Sequence, residues 1–146
     1  MKSEKIYIVD DDLFYAGVIA DFLESKKYPR PKIFSTGEYF LDNLYTLPQI
    51  VILDINLPNI NGVSVLRRIK SFDPDIYVVM LSGQNDVIAA VNSLKYGAFD
   101  YVIKDEAAFK NLLDIIRKIE QINSLRKKSY FSALWSKPLR KRLAFG

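Results

Sequence analysis

The sequence contains no cysteine and no histidine. Without cysteine the chain can form neither a disulfide framework nor a thiolate metal site. Without histidine it lacks the commonest general base, the commonest transition-metal ligand and the usual switch near neutral pH. Any chemistry must therefore use carboxylates, hydroxyls, amines and hard cations.

Long apolar runs are also missing. No run approaches the roughly 18 residues of a membrane-spanning helix, and the apolar run Ile6–Val9 is too short for the core of a signal peptide. We therefore expect a cytoplasmic protein without a transmembrane segment. Hydrophobic residues still make up 49% of the 146 positions, which is enough to build a buried core.

Acidic residues are absent from the last part of the chain. Residues 1–120 contain 14 Lys and Arg against 17 Asp and Glu, a net charge of −3, whereas residues 121–146 contain seven basic residues and no acidic one. Such a shift in charge favours a domain followed by a separate segment. We predict a domain over residues 1–122 and an extended fifth helix with a basic, aromatic tail or linker over residues 123–146.

Short apolar runs alternate with helix-like patterns over residues 1–120. The runs predicted as strands are Ile6–Val9, Lys32–Phe34, Ile50–Leu53, Ile76–Leu81 and Phe99–Ile103. The stretches predicted as helices are 13–25, 36–45, 62–70, 86–96 and 106–125. Runs rich in Ile and Val suit parallel strands buried on both faces. This alternation predicts right-handed βαβ units and a three-layer α/β sandwich.

Two patterns indicate where helices begin. Asp12 precedes the first helical stretch, and we expect its side chain to cap that helix. The sequence Ser35-Thr36-Gly37-Glu38 has the spacing of a capping box before the second helical stretch.

Polar residues follow four of the predicted strands. Asp10-Asp11 follows the first strand, Asp54 the third and Ser82 the fourth, while Tyr101 and Lys104 come from the fifth. Ligands of open parallel sheets bind outside the carboxyl ends of the strands. Clustered carboxylates without His or Cys suit Mg²⁺, which prefers oxygen ligands. A carboxylate can also act as a nucleophile and form an aspartyl phosphate, and a nearby amine would offset the charge of the phosphoryl group.

In the order and spacing of these residues the sequence resembles the receiver domains of bacterial response regulators. The likeness spans roughly residues 4–122 and includes the loop Leu57–Gly62 after Asp54. It implies a flavodoxin-like (βα)5 sandwich whose five-stranded parallel sheet has the strand order 2-1-3-4-5. It also implies a phosphoprotein of a two-component system or phosphorelay that is not a turnover enzyme.

The resemblance assigns a role to each matching residue. Asp54 would be the phosphoacceptor, and Ser82 and Lys104 would bind the phosphoryl group. The Mg²⁺ ligands would be Asp10, Asp11, Asp54 and the backbone carbonyl of Asn56. Ser82 and Tyr101 would form the switch. Asn56 and Gln84 are candidates for tuning dephosphorylation, although Gln84 is equally well explained as a residue that starts a helix.

The implied partners are a sensor histidine kinase or phosphotransfer protein and a downstream effector. The effector would contact helix 4, strand 5 and helix 5, with the basic tail as a second contact. A homodimer that forms on phosphorylation is a further expectation.

The residue after Lys104 departs from the family pattern. The family usually has a proline there, in a cis peptide bond, whereas this chain has Asp105. A cis bond before another residue costs about 2.5–4 kcal/mol. We expect Asp105 to cap the fifth helix, and we expect its negative charge near Lys104 to weaken the phosphate site as well.

The basic tail has three interpretations. It is a linker that continues the fifth helix, a contact for a partner, membrane or nucleic acid, or a segment that folds back on its own domain. The tail carries no recognisable DNA-binding motif.

Two rival functions are also compatible with the sequence. One is a receiver-like scaffold that is never phosphorylated. The other is a small phosphohydrolase with an Asp nucleophile, although such enzymes commonly carry a second Asp where this chain has Asn56.

Overall fold

The computed structural model describes residues 4–136. The strands are β1 (Ile6–Val9), β2 (Lys32–Phe34), β3 (Ile50–Asp54), β4 (Tyr77–Ser82) and β5 (Asp100–Ile103). The α-helices are α1 (Leu13–Ser25), α2 (Gly37–Asp42), α3 (Gly62–Phe72), α4 (Val87–Ser93) and α5 (Ala108–Ser136). Short 3-10 turns occur at Leu44–Thr46, Gln84–Asp86 and Leu94–Tyr96. The predicted elements are all present, with ends that differ by a few residues at most, except in α5.

The five strands form one parallel sheet in the order β2-β1-β3-β4-β5. This confirms the predicted fold class and strand order. Every residue of β1 and β3 is buried, as expected for strands covered by helices on both faces. The register pairs Val9 with Leu53 and Asp54 with Leu81. The strands β1, β3 and β4 therefore end side by side.

Side chains that accept backbone N–H groups fix the starts of three helices. Asp12 caps α1 by accepting from the Tyr15 N–H at 3.0 Å, as predicted. Asn61 caps α3 through the Ser64 N–H at 2.9 Å. At α2 the cap is Thr36, which accepts from the Tyr39 N–H at 3.1 Å. The capping box predicted from Ser35 is thus wrong by one residue, because Thr36 is the residue with extended backbone directly before the helix.

Gly62 lets α3 start close to the end of β3. A Cβ atom at this position would lie 2.2 Å from the carbonyl oxygen of Asp54 and 2.7 Å from the Cα of Ile55. The Gly62 N–H donates to the Ile55 carbonyl at 2.9 Å. The loop that follows Asp54 is therefore closed by a backbone contact that no larger residue permits.

Helix α5 is longer than the predicted 106–125 stretch and continues to Ser136. The chain divides into two compact units between Leu113 and Asp114, within this helix. The predicted boundary after residue 122 remains a prediction, and the part of the predicted tail from residue 137 onward lies outside the described residues. Within residues 4–136, no helix combines the length and the apolar character needed to cross a membrane.

Candidate functional site

Three carboxylates meet at the carboxyl ends of β1 and β3. Asp10 and Asp11 directly follow β1, and Asp54 is the last residue of β3. One carboxylate oxygen from each residue lies within 4.8 Å of the others. Asp10 and Asp54 are buried, whereas Asp11 is exposed. Because β1 and β3 are neighbours, residues 43 positions apart in sequence form one acidic cluster that is open to solvent on the side of Asp11.

Lys104 links the two buried carboxylates. Its Nζ lies 2.9 Å from Oδ2 of Asp10 and 3.2 Å from Oδ2 of Asp54. Lys104 follows β5, and its backbone N–H donates to the Ser82 carbonyl at 2.8 Å. That bond continues the pairing of β4 with β5 by one residue and holds the lysine at the edge of the sheet where the acids meet.

Backbone amides hold the other oxygens of the two buried carboxylates. Oδ1 of Asp10 accepts from the Asp12 N–H and Oδ1 of Asp54 accepts from the Asn56 N–H, each at 2.9 Å. Asn56 itself is exposed beside Asp54. Each buried carboxylate is thus oriented by one amide and one shared ammonium group.

The buried charges shift the pKa values of Asp10 and Lys104. Burial raises the pKa of Asp10 to about 6, and the neighbouring Asp54 acts in the same direction, against the opposing effect of Lys104. Burial alone would lower the pKa of Lys104, but its hydrogen bonds and charge contacts with Asp10 and Asp54 together outweigh burial and raise it. One ammonium group therefore serves two buried acids, and the cluster retains an excess of negative charge.

A divalent cation fits this excess. The cluster offers oxygen atoms only, and its three carboxylates face one lysine. Mg²⁺ prefers oxygen donors and usually keeps several waters, which the exposed side at Asp11 admits. The donor chemistry of these residues therefore suits Mg²⁺ and does not suit a transition metal that requires nitrogen or sulfur.

Tyr15 belongs to the site, although the sequence reasoning missed it. Its ring centroid lies 4.8 Å from Nζ of Lys104, a distance typical of a cation–π contact. The Tyr15 ring also packs against Phe109. Its hydroxyl is buried and has no hydrogen-bond partner among the described residues. An aromatic residue in the first turn of a helix carries no signal that would have indicated this contact.

Ser82 ends β4 beside the acidic cluster and is fully buried. Its hydroxyl donates to the Gly83 carbonyl at 2.9 Å. Gln84 is exposed and begins the 3-10 turn Gln84–Asp86, as its alternative interpretation predicts. Tyr101 is partly buried and packs against the apolar core. The predicted roles of Ser82 and Tyr101 in phosphate binding and switching, and of Gln84 in dephosphorylation, stay predictions.

Asp105 forms a turn that leads into α5. Its carboxylate accepts from the Ala107 N–H at 2.9 Å, and its carbonyl accepts from the Ala108 N–H at 3.1 Å. Residues 4–136 contain no cis peptide bond, so the bond before Asp105 is trans. The Asp105 side chain thus closes a turn directly before α5 and does not accept from an N–H group of α5 itself, so the predicted cap of the fifth helix is not formed.

The family model of the response regulator receiver domain matches residues 6–117, and the chain belongs to that family. The match agrees with the resemblance inferred from the acidic pair, Asp54, Ser82 and Lys104.

Curated relatives are regulators and enzymes that contain more than this domain. The chain is 28% identical over 119 residues to the C4-dicarboxylate transport transcriptional regulatory protein DctD of Rhizobium meliloti, covering 82% of this chain and 26% of that protein. It is 37% identical over 113 residues to a protein-glutamate methylesterase/protein-glutamine glutaminase of Geobacillus kaustophilus, covering 71% of this chain and 31% of that protein. The chain therefore spans about a quarter to a third of these relatives.

Solved receiver domains match over nearly their whole length. The receiver domain of NtrX from Brucella abortus superposes with a TM-score of 0.73 at 28% identity, covering 80% of this chain and 98% of that one. A CheY-like response regulator receiver domain protein from Methanospirillum hungatei superposes with a TM-score of 0.74 at 25% identity, covering 84% of this chain and 98% of that one. These likenesses agree with the fold described above.

Proposed function

We propose that Asp54 accepts a phosphoryl group from a sensor histidine kinase or phosphotransfer protein in a reaction that requires Mg²⁺. The observation that supports this most strongly is the position of the Asp54 carboxylate, 3.2 Å from the Lys104 ammonium group and within 4.8 Å of the Asp10 and Asp11 carboxylates. A nucleophilic carboxylate next to a cation site and a fixed amine is the arrangement that phosphoryl transfer needs.

The cation would be held by the carboxylates of Asp10, Asp11 and Asp54 and by the backbone carbonyl of Asn56. When bound, it supplies positive charge that stabilises the oxygens of the transferring phosphoryl group. An oxygen of Asp54 forms the new bond to phosphorus while the bond between phosphorus and the donor's histidine nitrogen breaks, and the imidazole leaves with the electron pair. The chain itself contains no histidine, so the donor residue must come from the partner.

Lys104 and Ser82 bind the product in this proposal. Lys104 exchanges part of its contact with Asp10 and Asp54 for the phosphoryl oxygens. The Ser82 hydroxyl now bonds the Gly83 carbonyl, so it must turn away from that carbonyl to donate to the phosphoryl group. Movement of Ser82 would then draw Tyr101 inward and change the surface formed by α4, β5 and α5.

Hydrolysis of the aspartyl phosphate ends the signal. Asn56 and Gln84 are exposed beside Asp54 and after β4, respectively, where their side chains could orient water. The chain would dephosphorylate itself slowly and would have no separate substrate. The same proposal includes a downstream effector and a homodimer formed on phosphorylation. It also includes a linker over residues 123–146, because the relatives are longer than this chain.

Treatment with acetyl phosphate and Mg²⁺ tests the proposal. Intact-mass spectrometry should show one added phosphoryl group, and Asp54→Asn should abolish it. Asp42→Asn is the matched control, because Asp42 is an exposed carboxylate at the end of α2, and it should label normally. Labelling should also disappear with EDTA.

Two other outcomes would replace the proposal. No added mass in the wild type, together with no binding of Mg²⁺, would favour a scaffold that acts by protein contacts alone. Sustained turnover of a generic phosphomonoester would favour a phosphohydrolase.

A further inference from the structure

The C-terminal end of α5 exposes large apolar side chains. Tyr130, Phe131, Leu134 and Trp135 are 66%, 56%, 39% and 73% exposed, respectively. The rings of Tyr130 and Phe131 pack edge to face with centroids 5.8 Å apart. Residues three and four apart lie on the same side of an α-helix, so Leu134 lies beside Tyr130 and Phe131, and Trp135 lies beside Phe131. We call these four residues the aromatic face.

The opposite side of the same turns has a different character. Leu125, Ser129 and Ser132 are spaced four and three residues apart and lie roughly half a turn around the helix from the aromatic face. Apart from Leu125 this side carries small hydroxyl side chains. The end of α5 is therefore amphipathic, with its aromatic residues gathered on one side.

Basic residues flank the four residues of the aromatic face on both sides in the sequence. Arg126 and Lys127 lie four residues before Tyr130 and Phe131, which places them one turn earlier on the same side of the helix. Residues 121–146 contain no Asp or Glu. Their basic residues are Arg126, Lys127, Lys128, Lys137, Arg140, Lys141 and Arg142. This segment is complementary to an anionic surface.

We propose that the aromatic face of α5 binds the surface of an anionic lipid bilayer. An interfacial helix buries Trp, Phe and Leu at the boundary of the acyl chains, while Lys and Arg next to them reach the headgroups with their long stems. Tyr and Trp place their polar atoms at the same boundary. Each Lys or Arg near such a surface strengthens binding about fivefold. Several of them together therefore make the binding of a small apolar face strong enough to measure.

Two other occupants fit these observations less well. In a dimer formed through the aromatic face, the basic turn of one copy would lie close to the basic turn of the other, and like charges repel. Single-stranded nucleic acid stacks its bases on separate aromatic platforms along a groove, whereas here the aromatic residues share one side of a regular helix with Leu134. The lipid surface accounts for both the charge and the clustering.

Vesicle sedimentation with the full chain tests the proposal. The chain should bind vesicles that contain phosphatidylglycerol, bind vesicles of pure phosphatidylcholine at least about tenfold more weakly, and dissociate at high salt. Trp135 is the single tryptophan, so its emission should shift to shorter wavelength on binding. Phosphorylation of Asp54 is not needed for any of these results.

Matched variants separate the two sides of the helix. Phe131→Ser should weaken vesicle binding about tenfold, because burial of Phe is lost. Leu125→Ser changes a residue of similar exposure, 65%, on the opposite side, and should leave binding unchanged. Both sites are exposed, so far-UV circular dichroism should not change.

Several results would overturn the proposal. These are no binding to anionic vesicles, equal binding to neutral vesicles, and equal effects of the two variants. Self-association of the chain without lipid that Phe131→Ser abolishes would assign the face to a second copy. Binding to DNA without binding to vesicles would assign it to nucleic acid.

Discussion

Replacing Asp10 with Asn should stabilise the metal-free protein at neutral and alkaline pH. Asp10 is fully buried, and it shares the single ammonium group of Lys104 with Asp54. Removing one of two buried carboxylates leaves the lysine with one buried partner of opposite charge. A residue that we propose as a metal ligand thus lowers the stability of the fold when no metal is bound.

The magnitude follows from the pKa of Asp10. In the unfolded chain the group releases its proton near the ordinary value of 3.8, and in the folded chain near 6. The folded form therefore holds more protons between these values, and stability falls as the pH rises through this window. Above this pH window, ionised Asp10 lowers the free energy of unfolding by about 3 kcal/mol. The Asn side chain has only one acceptor oxygen for the two hydrogen bonds that Asp10 accepts, and the loss of one bond costs about 1 kcal/mol. The net gain in the free energy of unfolding is therefore about 2 kcal/mol.

Thermal unfolding in EDTA tests this reasoning. At pH 8 the midpoint of Asp10→Asn should exceed that of the wild type by about 5–10 °C. Near pH 4, where Asp10 is largely protonated in the folded state and only about half ionised in the unfolded one, the gain should vanish. Added Mg²⁺ should stabilise the wild type more than the variant. If the variant is less stable than the wild type at pH 8 in EDTA, the acidic cluster does not carry the excess charge that we infer.

Three other substitutions test separate parts of the site. Lys104→Met leaves two buried carboxylates without their amine and should cost about 3–5 kcal/mol in metal-free urea unfolding; an unchanged midpoint would contradict the shared ion pair. Gly62→Ala forces a Cβ against the Asp54 backbone and should cost about 3 kcal/mol, whereas Gly83→Ala meets only an ordinary 3.5 Å side-chain contact and should cost much less. Asn61→Ala removes the cap of α3 and should cost about 1 kcal/mol in the same assay; no loss would mean that Ser64 finds another partner.

The sequence predicts the sheet well because its strands are buried on both faces. Runs such as Ile6–Val9 and Ile50–Leu53 are almost continuous in apolar residues, and the structure gives them nearly the predicted bounds. The order of the strands came from the family resemblance and is confirmed. The meeting of Asp10, Asp11 and Asp54 then follows from topology, since parallel strands deliver their carboxyl ends to one edge.

Features set by local geometry were less predictable. Ser35 and Thr36 are both good caps, and only the backbone conformation selects Thr36. The contact between Tyr15 and Lys104 depends on how α1 packs, which no spacing in the sequence reports. The end of α5 is not set by the periodic pattern, because the regular spacing of Ile and Leu ends near Ile122, whereas the helix continues to Ser136.

The central claim is that Asp54 is the residue that becomes phosphorylated. Borohydride reduction of the protein treated with acetyl phosphate and Mg²⁺, followed by peptide mapping, identifies an aspartyl phosphate by the product it leaves. We predict that the reduced residue is Asp54 alone. Modification of Asp10 or Asp11 instead, or a stable phosphate on a hydroxyl such as that of Ser82, would contradict the account.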